Sequence, residues 1–436
     1  MYAAHDGGLP MQFHILSFEG PDPYSRAGGL ATRTDGLVRT LADLGFETHL
    51  WFVGDPKLPG HEINGALHLH RWAQWVSAYH PAGVYDGEQG KYEEYTRSLP
   101  PYLVEHLLPA LRRGEHAVVL AEEWHTARSV AYLSSLLERA QARDKVTMLW
   151  NANNTFGFDR IDWPGLRDAA SITTVSRYMK HQMRPLGVDA LVVPNGLSRD
   201  AFELVPSSAY ATLRARFGNR TVIVKMARWD PDKRWLSAVE ITATMKQAGW
   251  RPLLIARGGS EPHGAEVLEA IAARGLVRVD RVWRKPGVDG ILDALQGLEG
   301  EGIDVVNLCS HVDPNARRLL FRGSDAVLAN SSHEPFGLVG LETMAAGGLA
   351  CTGCTGEDYA LPGRNALVLE TGEAGEFMGM FASLRGRPRR DRAIRRAGRL
   401  TARGFSWLTV VQNVLLPRIA LASADLELEA CSRRHA

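Results

Sequence analysis

Apolar residues recur along this chain in two alternating rhythms, short continuous runs and longer stretches with apolar positions three and four apart. In the first half the runs are Gln12–Ser17, Thr48–Val53, Ala117–Ala121, Val146–Trp150, Ser171–Val175 and Ala190–Pro194, and the spacing predicts a helix over Ala31–Leu44. A second series begins at Thr221–Met226 and continues through Pro252–Ala256, Val305–Leu308 and Ala326–Ala329, with a helix expected over Leu338–Ala346. Strand-like runs alternating with helical stretches make parallel sheets joined by crossover helices, so the expected class is α/β with two doubly wound, Rossmann-like domains. The turn at Pro194-Asn195-Gly196 sets their boundary, giving domains over 11–197 and 198–403. Residues 1–10 read as a disordered extension, and 404–436 as a closing helix-like run. Ligands of open α/β sheets gather at the carboxyl ends of the strands, so the functional site is expected in a cleft between the two domains.

One stretch dominates the chemistry. Glu334-Pro335-Phe336-Gly337-Leu338-Val339-Gly340-Leu341-Glu342 follows a buried strand and runs into the expected helix, so Phe336 and Gly337 fall at a strand-to-helix turn. Such a turn presents free N–H groups, including those of Leu338 and Val339, and a positive dipole end to an anion. Glu342 can accept hydrogen bonds from a ribose diol, and Glu334 from hydroxyls of a sugar on the same phosphates. An ordinary helix opening with two solvated carboxylates is the other reading of these residues. The stretch resembles the E-P-F-G-x-x-x-x-E signature of retaining glycosyltransferases of the GT-B fold, in family 4 and the glycogen and starch synthases.

Three further segments extend the resemblance. Gly28-Gly29-Leu30-Ala31 lies between the first strand and first helix, where side-chain-free backbone can approach a phosphate or simply make a tight turn; it is similar to the family's G-G-L-A loop. Arg228 and Lys233 can clamp a diphosphate, or be part of a solvated charge run, and they match the family's G-R-x-x-x-x-K-G spacing. Ala227 and Arg234 stand there in the places usually held by glycine. Glu123-Trp124-His125-Thr126 resembles the D-W-H-T segment of glycogen synthases, which implies that His125 borders the transferred sugar, against a structural histidine at a strand end. Where a second family histidine is usual the chain has Asn151-Ala152-Asn153, whose amides could hydrogen-bond a sugar. Glu357 matches the loop after the signature helix, and the closing helix implies a crossover back to the N-terminal domain. Trp75, Tyr79, His80, Tyr85 and Tyr92 make 72–95 either an acceptor pocket or a packed insertion.

Composition narrows the function. The 436 residues are 45% hydrophobic and 23% charged, enough for two full cores, and a net charge of +1 gives no signature of a nucleic-acid partner. Cys309, Cys351, Cys354 and Cys431 are too few for a disulfide framework; Cys351 and Cys354 have redox or zinc spacing, but no second pair accompanies them, and they read as packing. No apolar run of membrane-spanning length and no leader pattern stand out, so a cytosolic protein is expected. No Asp-x-Asp segment sits at a convincing strand end, and no metal or cofactor is expected: Arg228, Lys233 and a helix N-terminus would hold the leaving diphosphate. The resemblance implies transfer of a hexose, with glucose favoured, from a UDP, ADP or GDP sugar to a carbohydrate or small hydroxyl acceptor. It also implies retention of configuration. A phosphorylase of the same fold, of the trehalose phosphorylase kind, stays open and would depend less on Glu342. A catalytically silent sugar-binding protein is disfavoured by the intact Glu334, Glu342, Arg228 and Lys233, an epimerase by the transferase signature, and a nicotinamide dehydrogenase by the absence of G-x-G-x-x-G.

Overall fold

The computed structural model describes residues 11–298 and 302–424. The expected extension over residues 1–10 lies outside them, as does Cys431. The chain divides into two compact units, one running to Gly196 and taking in the helix from Trp407, the other spanning Leu197–Ser406.

The first unit is built on eight strands: β1 (Met11–Leu16), β2 (Glu47–Val53), β3 (His61–Asn64), β4 (Leu67–Trp72), β5 (His116–Glu122), β6 (Val146–Ala152), β7 (Ser171–Thr174) and β8 (Leu191–Val192). Their order is β3-β4-β2-β1-β5-β6-β7-β8. Every pairing is parallel except that of β3 with β4. Order runs outward in both directions from β1 and β5, so helices cover both faces, as parallel sheets demand. The helix Gly29–Asp43 returns the chain from β1 to β2 and buries Ala31, Thr34, Leu37, Val38 and Leu41, the i, i+3, i+4 stripe expected from the sequence. The segment 72–95, read as either an acceptor pocket or a packed insertion, contributes a short turn of helix at Gln74–Ser77 and the start of the long helix Glu88–Arg112.

The helix Trp407–Ala424 closes this unit, with a widened turn at Val411–Leu415. Its 18 residues make it, among the described helices, the one long and apolar enough to cross a membrane, where the sequence led us to expect none. Its Trp407, Val410, Val411, Leu415 and Ile419 share a core with Phe13, Ile15, Val38, Leu50 and Val118. A side chain on this helix at every third or fourth position is therefore part of the sheet's own packing.

The second unit holds seven strands: β9 (Thr221–Met226), β10 (Pro252–Arg257), β11 (Arg278–Arg281), β12 (Val305–Leu308), β13 (Ala326–Ala329), β14 (Ala350–Thr352) and β15 (Leu367–Val368). They pair in the order β11-β12-β10-β9-β13-β14-β15, and all are parallel. One hydrophobic cluster lies on each face, Ile223, Leu254 and Leu328 pointing to one and Val222, Val224, Leu253 and Val327 to the other. That is the period of two required of strands buried on both sides.

Candidate functional site

In the Leu197–Ser406 unit, the turn after β13 leads into the helix Leu338–Ala346, at the bounds expected from the sequence. Gly337 begins it at φ +79°, and a Cβ there would meet Glu357 Cγ at 2.6 Å, so both conformation and space select glycine. The segment behind the turn staples it. Thr355 Oγ1 accepts from the Glu334 N–H (2.9 Å), Gly356 N–H donates to the Glu334 carbonyl (2.9 Å), and the Tyr359 hydroxyl donates to the Gly337 carbonyl. Phe336 is buried against Tyr359 and Phe405, at ring separations of 5.8 and 6.1 Å. Its side chain anchors the turn, and what it can offer a ligand is its main chain.

Lys233 Nζ lies 2.6 Å from Glu334 Oε2, so the fold joins two of the residues expected to act together. Arg228 is 69% exposed and pairs loosely with Asp230, at 3.7 Å. Arg234, in a place usually held by glycine, holds φ +52°, the left-handed region that favours glycine. Arg234 spans to the Thr371 carbonyl at 2.6 Å, a tether glycine could not make.

Glu342 has a partner the sequence did not announce. Its carboxylate faces Arg317 from the helix Pro314–Gly323, Oε1 to Nη2 at 3.0 Å. Burial raises its pKa and the Arg317 charge opposes that rise.

Two buried ionisable groups had not been singled out as acting residues. Lys225 is the lone charge in the strand Thr221–Met226; it is buried and donates from Nζ to Asn330 Oδ1 (2.8 Å). Burial, reinforced by Lys233 and Arg234, holds it down to about 7. Glu357, noted only as a loop match, is pushed up to about 7 by burial, with the Glu334 charge adding to the rise. A charge inside an otherwise apolar strand was the signal for Lys225.

In the other unit the glycine turn is already occupied. The N–H groups of Ala27, Gly28 and Ala31 converge on Glu19 Oε2 at 3.2, 3.0 and 3.2 Å, and Tyr85 donates to Oε1 at 2.7 Å. A carboxylate of the chain thus takes the place at the helix N-terminus where a phosphate was expected to meet Gly28. A Cβ on Gly28 or Gly29 would meet nothing within 4 Å, so their outer side is open.

Asn151 and Asn153 are likewise committed. Both side-chain amides donate to Glu122 Oε2, at 2.9 and 2.8 Å, and Asn151 Oδ1 accepts from Thr173 (2.9 Å). Glu122 needs them because it is buried, paired with Arg33 at 3.0 Å; Arg33 in turn donates to Asn195 Oδ1 (2.8 Å). These amides thus help to satisfy a buried ion pair, a role the sequence did not announce.

Glu123, between β5 and the helix Trp124–Arg139, sits at φ +66°, ψ 168°, a region essentially reserved for glycine. His125 follows, buried, its ring stacked 4.1 Å from Phe18 and 3.8 Å from Trp124. Its Nε2 meets Glu88 Oε1 at 2.8 Å, and burial holds its pKa down to about 4, so the ring is neutral near pH 7. His125 Nδ1 has no partner among the described residues. Nearby, Tyr24, Arg26, Asp55, Lys57, Tyr85 and Asp86 line a cavity of about 510 Å³, so part of the aromatic segment does wall a concave surface. Cys351 is buried and Cys354 exposed, both as free thiols.

No family model and no curated protein matches the chain. Solved structures do. A sucrose-phosphate synthase from Thermosynechococcus elongatus aligns over 95% of this chain and 100% of its own at 16% identity and a TM-score of 0.63. The catalytic domain of starch synthase IV from Arabidopsis thaliana, bound to ADP and acarbose, covers 96% and 100% at 13% identity and a TM-score of 0.66. A UDP-forming trehalose-phosphate synthase from Burkholderia xenovorans, with glucose-6-phosphate, covers 94% and 100% at 14% identity and a TM-score of 0.61. At such identities the likeness speaks for the fold, which is GT-B over nearly the whole chain.

Proposed function

We propose that this protein is a cytosolic, retaining glycosyltransferase that moves a hexose, with glucose favoured, from a nucleoside-diphosphate sugar to a hydroxyl acceptor without a metal ion. The observation that carries the reading is the Lys233–Glu334 contact of 2.6 Å at the opening of the helix Leu338–Ala346, whose start at Gly337 leaves the Leu338 and Val339 amides for an anion. In this reading the diphosphate lies on those amides, Lys233 leaves Glu334 to meet a phosphate oxygen, and exposed Arg228 forks a second. Glu334 then accepts from hydroxyls of the hexose as its ring gains oxocarbenium character. The acceptor hydroxyl attacks on the leaving-group face, and a phosphate oxygen takes its proton. Within the first unit, neutral His125 leaves Nδ1 for a hydroxyl, and the cavity beside Tyr85 has room for a sugar. The ADP, acarbose and glucose-6-phosphate in the structures of similar fold support this choice of ligands.

The Arg317–Glu342 pair favours one second reading, a glycoside phosphorylase, in which no ribose needs Glu342. Thermal shift and calorimetry with UDP, ADP, GDP, their hexose conjugates and inorganic phosphate separate the two. A rise in melting temperature with one nucleotide, weakened about tenfold or more in Glu342→Ala, supports the transferase. A rise with phosphate alone, indifferent to Glu342→Ala, replaces it with the phosphorylase. Glu334→Ala should lower turnover by about 10²–10³ with the fold intact, the scale of losing one group that stabilises transition-state charge. Near-normal turnover would sink both readings.

A further inference from the structure

On strands β1, β2 and β4 the two faces differ sharply. Phe13, Ile15, Leu50, Phe52, Leu67 and Leu69 fill one. The alternate positions put His14, His49, Trp51, His68 and His70 on the other. Register lines them up, His14 opposite His49, His49 opposite His68, and Trp51 and His61 both opposite His70. His106, from the helix Glu88–Arg112, meets His49 edge-on at 5.2 Å. Six imidazoles thus share one sheet face where aliphatic residues would ordinarily pack.

The hydrogen bonds within the row fix which nitrogens are free. Glu47 Oε1 lies 3.1 Å from His49 Nε2 and, being a carboxylate, can only accept, so it draws the single proton of a neutral His49 ring to Nε2. His49 Nδ1 is left with its lone pair aimed at His70 Nε2, 3.0 Å away. On the solvent side His68 Nδ1 and His61 Nε2 stand 3.3 Å apart. Two imidazoles on one tetrahedral ion with metal–nitrogen bonds of about 2.0–2.1 Å have their nitrogens roughly 3.3 Å apart. Neutral imidazole is the form that ligates, and His49 and His70 are both buried away from solvent. A purely structural row would also be expected to satisfy its nitrogens, yet buried His14 Nε2 has no partner among the described residues.

We propose that this face binds one divalent transition-metal ion of the Zn²⁺ class through His49 Nδ1, His70 Nε2 and His68, one nitrogen from each of the three lying within 4.8 Å of the others. Glu47 orients His49 as an outer carboxylate does in metal sites. Binding through His70 Nε2 moves that ring's single proton to Nδ1, so both rings stay neutral, and half-buried His68, beside exposed His61, gives the ion its way in. The ion would brace the β3-β4-β2 edge of the sheet. It takes no part in the transfer chemistry, where no metal is expected.

The test uses the full chain without tag histidines, stripped with a chelator and titrated with Zn²⁺ by calorimetry and with Co²⁺ by visible absorption. One ion per chain is expected, with an intense tetrahedral Co²⁺ band and a higher melting temperature. His70→Gln should abolish the band, and Glu47→Gln should weaken binding about 10-fold or more. Because buried His70 could be needed for folding, His68→Ala at the half-buried position gives an independent check. It should weaken Zn²⁺ binding at least tenfold while leaving transferase turnover unchanged. Binding that does not saturate at one ion per chain, or that is the same in His68→Ala and Glu47→Gln, overturns the proposal.

Discussion

Glu357 shows what a single residue inherits from its surroundings. One carboxylate oxygen accepts from the Thr355 N–H at 3.0 Å, while the other is buried with no partner among the described residues. Burial, with the Glu334 charge beside it, raises its pKa from 4.5 to about 7. The folded state therefore holds a proton that the unfolded chain has released above about pH 4.5. Its contribution to stability is fully present below that pH and is lost as pH rises through about 7. Glu357→Gln keeps the shape without the titration. Its stability should improve relative to wild type by about 1–3 kcal/mol between pH 5 and 8 and then level off. Urea unfolding of both proteins at four pH values measures this, and a gap that does not change with pH would contradict it. At this scale the sequence was legible where both partners of a contact sit in recognisable motifs, as for Glu334 and Lys233. It was not legible where the partner came from elsewhere. Nothing near Asn151 announces that Glu122 must be neutralised by Arg33, and nothing near Gly28 announces that Glu19 reaches back to the helix opening.

Elements were read best where their hydrophobic period was long or both faces were apolar. The helix Leu338–Ala346 and strands such as Thr221–Met226 stand at their expected bounds. Strands β3, β4, β11, β14 and β15 were not anticipated. His61–Asn64 and Arg278–Arg281 lie at sheet edges with mostly polar side chains, and Leu67–Trp72 alternates leucine with histidine. The same alternation was the overlooked signal for the histidine row, because one of its faces is buried without being aliphatic. The element that matters most for the proposed donor site is the start of the Leu338–Ala346 helix, and it hinges on Gly337. Gly337→Ala imposes a left-handed conformation costing about 1–2 kcal/mol on a side chain that also meets Glu357 Cγ at 2.6 Å. A total loss of about 2–4 kcal/mol is expected, seen in thermal unfolding, together with weaker nucleotide binding as the amides of Leu338 and Val339 shift. Nucleotide affinity that survives such destabilisation would place the phosphates elsewhere.

On the scale of the whole molecule, chain order and unit membership part company at Trp407. The sequence placed a closing helix-like run over 404–436, and only a resemblance suggested which domain it would join. The physical reason lies in complementary gaps: a side chain added at Gly36 or at Gly196 would collide with the Trp407 ring. Arg33, already bound to Glu122, lies 5.6 Å from the same ring. An indole 3% exposed thus fills the space left by glycines of two distant segments and covers the ion pair that holds the ends of β5 and β6. Trp407→Ala should open a cavity there and cost about 3–5 kcal/mol, the range for deleting a large buried aromatic. The loss should exceed that of an exposed residue on the same helix, such as Leu408→Ala, which should change stability by less than about 0.5 kcal/mol. Hydrogen exchange localises the effect: amides of β1, β5 and the helix Gly29–Asp43 should lose protection in Trp407→Ala, because these elements share its core. Unchanged protection in β1 and β5 would mean that the helix lies outside the cooperative core of its unit, and that its apolar stripe serves some other surface.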